Sequence, residues 1–234
     1  MAPPGSVPER RCALKALNSP TMPAAGTRRN RLAATVLLSL AAYAALWAAT
    51  ASQPWGHAAA MLLAFVALPA CIMMALGGER LDLGRMDRWL PLSFAVYLPF
   101  MAWTLAYLPS HAGFFQDWAR VDGGAPAMLA RAIGIAVAVA SVDFFCRRVV
   151  QRACADEWGR PAGLAVATVA WMLGHVPELL WLPDVMGLSS AIAYVTLAGV
   201  LGGYAYMRGG NVAGLMLGHA ALNWVAMAAA AMWA

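Results

Sequence analysis

Residues 214–227 read GLMLGHAALNWVAM, a stretch apolar enough to lie in lipid that nevertheless carries His219 and Asn223 four residues apart. At 3.6 residues per turn, that spacing puts both side chains on one helical face. The surrounding chain is 62% hydrophobic and 12% charged, whereas soluble domains average about half apolar and a quarter charged. The sequence therefore reads as an integral membrane protein. A helix needs ~20 mostly apolar residues to cross a bilayer, and seven stretches reach that length: 32–52, 57–77, 89–108, 127–146, 161–182, 187–207 and 211–233. Lipid forces each span to satisfy its own backbone, and the long unalternating apolar runs exclude a β-barrel. The expected fold is all-α, a polytopic transmembrane helix bundle of about seven spans.

The first stretch ends in AATASQ, which imitates a signal-peptidase site. Its apolar core is longer than the ~7–15 residues of a signal peptide, so it reads as a retained span. Ahead of it, Arg10, Arg11, Lys15, Arg28, Arg29 and Arg31 face a lone Glu9 in a Pro/Ser/Ala-rich segment with nothing to bury. Residues 1–31 are expected to be a disordered basic cytoplasmic tail, with Met22 as an alternative start. With that tail inside, Arg80, Arg85, Arg88, Arg147, Arg148, Arg152, Arg160 and Arg208 all fall in or beside cytoplasmic loops, and only Arg120 and Arg131 fall toward the far side. The formal charge of +5 thus reflects topology and anionic headgroups, and the expected surroundings are the lipid bilayer of a bacterial inner membrane, with no nucleic acid as partner. Cys12, Cys71, Cys146 and Cys154 form no CxxC pair and predict no disulfide.

Ionisable groups in hydrocarbon are costly and mark functional sites. Here they gather in the second half of the chain. Residues 32–125 read as scaffold helices and residues 126–234 as a core of four transmembrane helices. Asp143 and Arg147 lie four apart on one face, where a carboxylate and a guanidinium can pair. Trp171-Met-Leu-Gly-His175-Val-Pro177-Glu178 places an imidazole and a carboxylate one turn apart, with Pro177 bending or ending the helix. For a hairpin turning near Trp158, Asp143 and His175 come at similar depths.

These residues resemble the CPBP family of intramembrane endopeptidases, named for CAAX protease and bacteriocin processing and also called Abi. Its pattern is EExxxR on one span, FxxxH on the next and HxxxN on a later one. WMLGH (171–175) is similar to the second with Trp for Phe, HAALN (219–223) matches the third, and the likeness takes in GVLGGYAYMRGGN (199–211). The first motif departs. With Arg147 on the family arginine, Val142 and Asp143 stand where two glutamates are expected.

The resemblance implies an intramembrane endopeptidase that cleaves a membrane-associated protein or peptide precursor in a cavity facing the cytoplasm. A carboxylate, Asp143 or Glu178, would hold the attacking water with His175. Arg147 would orient Asp143, while His219 and Asn223 would stabilise the oxyanion. No cofactor is expected. Two other readings stay open: zinc held by His175, His219 and Glu178 in a metal-dependent protease, and an inactive relative acting as a membrane immunity or regulatory module.

Overall fold

The computed structural model describes residues 25–50, 56–77, 88–111, 113, 124–209 and 211–232. They group into nine helices, with no strand among the described residues. The first, α1, is Ala25–Thr50, and α2 covers 56–77 with a π-helical stretch at Leu63–Ala67. Next come α3, Trp89–Tyr107, and α4, Gly124–Trp158. Then α5 is Arg160–Gly174, and two short helices follow, α6 at Val176–Leu179 and α7 at Leu182–Met186. Two long helices, α8 (Leu188–Gly209) and α9 (Val212–Met232), complete the bundle.

Five of these helices are long and apolar enough to cross a membrane: Asn30–Thr50 within α1, then α3, α4, α8 and Val212–Ala230 within α9. The seven expected spans differ at two places. In α2 the apolar helix is the shorter Gly56–Ile72. The expected span 161–182 is interrupted at His175, because Pro177 has no amide hydrogen to continue the backbone ladder. Residues 25–31, expected in the disordered tail, already belong to α1, and the rest of that tail lies outside the described residues, as do Cys12, Met22, Arg80, Arg85 and Arg120.

The chain runs up and down, so the starts of α1, α3, α5 and α9 share one end of the bundle with the ends of α2, α4 and α8. Two contacts tie that end together. A Cβ built on Gly209 would fall 2.3 Å from the Trp89 ring, and the Gln151 amide donates to the Gly203 carbonyl at 2.7 Å. Exposed Arg31, Arg88, Arg152, Arg160 and Arg208 all belong to this end. Arg147 and Arg148, expected beside the loop, are instead buried within the bundle. The π-helical turns at Phe144–Gln151 carry them inward, and every residue of that segment is buried.

α9 is the central element and packs on α3 and α4. Gly214 and Gly218 make this possible. A Cβ on Gly214 would meet the Leu90 carbonyl oxygen at 2.3 Å, and one on Gly218 would meet the Phe94 carbonyl at 2.7 Å and the Tyr97 ring at 2.8 Å. The GLMLG spacing is the small-xxx-small pattern that lets membrane helices approach backbone to backbone. Gly218→Leu is therefore expected to separate α9 from α3 and abolish the monodisperse folded peak in detergent size-exclusion chromatography. An unchanged elution profile and melting temperature would show that this contact does not hold the bundle.

Candidate active site

The helix break creates the first half of the site. α5 ends at Gly174, and His175 takes φ −102°, ψ 14°, in the sparsely occupied bridge region where active-site residues often sit. The His175 Nδ1 lies 2.8 Å from the Trp171 carbonyl, which can only accept, so Nδ1 carries the hydrogen. Nε2 is left as the basic nitrogen. Trp171 is itself fixed: its Nε1 donates to the Val195 carbonyl at 3.0 Å, and a Cβ on Gly199 would come 2.8 Å from its ring. A phenylalanine could not make that hydrogen bond.

The second half comes from α9. His219 Nδ1 donates to Asp143 Oδ2 at 3.0 Å, again leaving Nε2 free. The two imidazoles face each other with centroids 5.6 Å apart and planes 21° from parallel. Their partners differ in kind, a carbonyl for His175 and a carboxylate for His219. Only at His219 would a transient positive charge meet a negative one, which is how a carboxylate–histidine pair supports proton transfer. Asn223 uses one amide hydrogen on the His219 carbonyl at 3.1 Å, and the other stays available.

Asp143 is fully buried and wholly engaged. Besides His219, it faces Arg147 Nε at 4.0 Å and accepts from the Tyr97 hydroxyl, 3.4 Å from each carboxylate oxygen. The Arg147 guanidinium stacks 5.0 Å from the Trp171 ring centroid and reaches Gln151 Oε1 at 3.5 Å. Space for it comes from Gly202 and Gly203, where an added Cβ would lie 3.0 Å and 2.9 Å from its terminal nitrogens. Asp143 therefore sits behind His219 and pairs with the arginine.

A cavity of about 110 Å³ brings the predicted residues together: His175, Glu178, His219 and Asn223 all line it, while Asp143 and Arg147 do not. The Glu178 Oε2 is buried without a hydrogen-bond partner, and its Oε1 is 3.9 Å from His57 Nε2 on α2. Val142 is buried against Gly174, where an added Cβ would come 2.7 Å from the valine methyl. Position 142 thus adjoins the residue before His175 but offers no acid. Among the described residues no three His, Cys, Asp or Glu side chains are grouped to hold a metal ion.

The described lining residues place the cavity between the middle of the bundle and the end away from the exposed arginines. From the level of the histidines, the lining runs along α3 to Tyr107, along α8 to Tyr194 and along α9 to Ala226, away from the exposed arginines. Buried Phe144–Gln151 and Trp171 fill the other half.

Sequence reasoning missed Tyr97, on a helix read as scaffold. Its ring stacks on His219 at 5.1 Å and 6°, and its hydroxyl reaches Asp143. The signal that could have found it is the Gly214/Gly218 spacing, which requires a partner helix against the face that precedes His219. Tyr97→Phe keeps the stacked ring and removes the hydroxyl donor. If the site is active, kcat is expected to fall about tenfold, roughly 1.4 kcal/mol, with KM unchanged. An unaltered kcat would show that Asp143 needs no help from the phenol.

A family model described as Rce1-like, type II CAAX prenyl endopeptidase Rce1-like, matches residues 19–225. The chain belongs to this family. No curated protein and no solved structure matches it. Membership in the Rce1-like family fits a polytopic helical membrane protein of intramembrane endopeptidase type, acting in a lipid bilayer on a protein substrate.

Proposed function

We propose that this Rce1-like chain hydrolyses a peptide bond of a membrane-associated protein or peptide precursor, with His175 and Glu178 activating water, and His219 and Asn223 receiving the oxyanion. One observation carries the reading: all four side chains line a single cavity, and each histidine has its Nδ1 committed elsewhere. Water held by His175 and Glu178 would lose a proton to that pair as its oxygen attacks the carbonyl carbon. The developing alkoxide would take hydrogen bonds from the Asn223 amide and, with His219 protonated against Asp143, from the His219 Nε2–H, and the proton taken from water would pass from the His175–Glu178 pair to the leaving amine. Of the two candidate carboxylates, Glu178 is favoured because Asp143 is enclosed and committed to His219, Arg147 and Tyr97.

No step needs a metal, so cleavage is expected to persist in a strong chelator. By the positive-inside rule, the end bearing Arg31, Arg88, Arg152, Arg160 and Arg208 faces the cytoplasm of a bacterial cell, with the N-terminus on that side.

The test compares cleavage of a quenched fluorogenic CAAX-type peptide by wild type, Glu178→Gln and Asp143→Asn with Arg147→Met. Glu178→Gln is expected to reduce kcat about 10²-fold or more, the scale of a lost general base. Asp143→Asn, combined with Arg147→Met so that no buried charge is left unpaired, should retain measurable turnover, since an amide oxygen can still accept from the His219 Nδ1. The reverse order would return the base to Asp143. Absence of turnover in every protein, wild type included, would favour a non-catalytic membrane module.

A further inference from the structure

We infer that His57, on a helix that the sequence marks as scaffold, is a positioning residue of the site and holds the Glu178 carboxylate in place from the side of α1 and α2. The inference rests on the endopeptidase reading for what Glu178 does at the cavity. That His57 holds it rests on geometry alone.

Glu178 needs such a partner. It belongs to α6, a helix of only four residues that follows the break at His175 and has no capping side chain at its start. A glutamate rotates about several side-chain bonds, and a carboxylate left to sample them is a poor holder of a water that must stay within hydrogen-bond reach. The buried Oε2 makes no hydrogen bond, so nothing fixes the group through that oxygen. At Oε1 the neighbour is His57 Nε2, 3.9 Å away. That is ion-pair range, and a movement of about 1 Å by either side chain closes it to a hydrogen bond. Catalytic hydrogen bonds that are long in an open site commonly tighten in this way as the reacting complex forms.

His57 is itself braced. The Tyr43 ring of α1 meets its imidazole edge to face, with centroids 6.2 Å apart and planes at 69°. Tyr43 packs in turn on Phe65 at 4.8 Å, and Phe65 stacks on Phe145 of α4 at 4.7 Å and 16°. Tyr43, Phe65 and Phe145 are all buried, so a strut of rings runs from α4, two residues past Asp143, to His57. The same strut backs the helix break, because a Cβ on Gly174 would lie 3.9 Å from the Phe65 ring. The residue before His175 and the carboxylate after it are thus both supported from α2.

No described residue of α1 or α2 lines the cavity, so His57 acts through Glu178 and not on the substrate. A carboxylate oxygen only accepts, and the imidazole must therefore turn an Nε2–H toward it. Glutamine at position 57 would offer an amide hydrogen at similar reach, whereas leucine would offer bulk without a donor.

The test uses the full chain in detergent with the quenched CAAX-type peptide, and carries His57→Leu and His57→Gln, each alone and with Glu178→Gln. His57→Leu is expected to lower kcat about tenfold with KM unchanged, short of the ~10²-fold that displacing a catalytic group by 1 Å can cost. His57→Gln should restore most of the loss. Added to Glu178→Gln, His57→Leu should cost nothing further, since two residues that act as one unit are not additive. A fall of the same size in both backgrounds would overturn the inference, as would a kcat that His57→Leu leaves unchanged.

A second arm reads Glu178 without turnover. Dicyclohexylcarbodiimide, which attaches to carboxyl groups in apolar surroundings, is added to the wild type and to both His57 variants, and labelling at Glu178 is followed by peptide mass spectrometry. Freed from the imidazole in His57→Leu, Glu178 is expected to label several-fold faster, and in His57→Gln at close to the wild-type rate. A rate unaltered by His57→Leu would overturn the inference. Faster labelling with no turnover in any protein, wild type included, would instead defeat the endopeptidase reading and leave the His57–Glu178 pairing standing.

Discussion

Changing His175 to alanine is expected to lower the cleavage rate by about 10²–10⁴-fold while leaving the protein folded, the range typical of a lost general base. The chemical half of that expectation follows from the tautomer. With Nδ1–H given to the Trp171 carbonyl at 2.8 Å, the imidazole keeps Nε2 as its one basic atom, and the residue lines the cavity. The structural half follows from what the mutation leaves behind. The Trp171 carbonyl also accepts the His175 backbone N–H at 3.1 Å, so losing the side chain orphans no buried acceptor. The measurements are single-turnover cleavage by mass spectrometry beside a melting curve in detergent. Cleavage within threefold of wild type would remove His175 from the mechanism, and a collapsed melting curve would make it a structural residue.

The second large effect is on stability. Arg147→Ala is expected to cost about 3–5 kcal/mol, because it leaves the buried Asp143 carboxylate without its cation. In a bilayer protein this should appear as loss of the monodisperse species in fluorescence-detected size-exclusion chromatography. Arg147→Lys should rescue little, since an ammonium cannot at once face Asp143, reach Gln151 and stack on Trp171 as the planar guanidinium does. Removing both charges together, Asp143→Asn with Arg147→Met, should recover much of the lost stability, since no unpaired charge then remains buried. Additive losses in that double variant would show that the two residues are not a unit.

How much of this site could be read from the chain depended on whether its parts are local. His219 and Asn223 share a face of one helix, so spacing alone predicted that they would act together, and both line the cavity. Pro177 likewise announced a bend, and the helix breaks beside it at His175. Contacts between distant segments were not legible. Counting from the hairpin predicted similar depths for Asp143 and His175, yet Asp143 reaches His219, 76 residues away, because α9 packs directly on α4. The expectation that Arg147 and Arg148 flank a loop came from counting hydropathy, which cannot see that π-helical turns and two facing glycines make room for a guanidinium inside the bundle. Tyr97 escaped for the same reason, its partners being 46 and 122 positions away along the chain.

The sequence by itself determined that the chain is a helical membrane protein of this family and that its chemistry-bearing residues are concentrated after position 140. Composition, spacing and the cost of charge in hydrocarbon are properties a linear reading can weigh. Only the tertiary structure decided which of those residues share a cavity, which carboxylate is enclosed, and toward which end the cavity runs. Those outcomes depend on how closely one helix may approach another, set here by glycines at 202, 203, 214 and 218 and by the side chains that fill or leave the space between them.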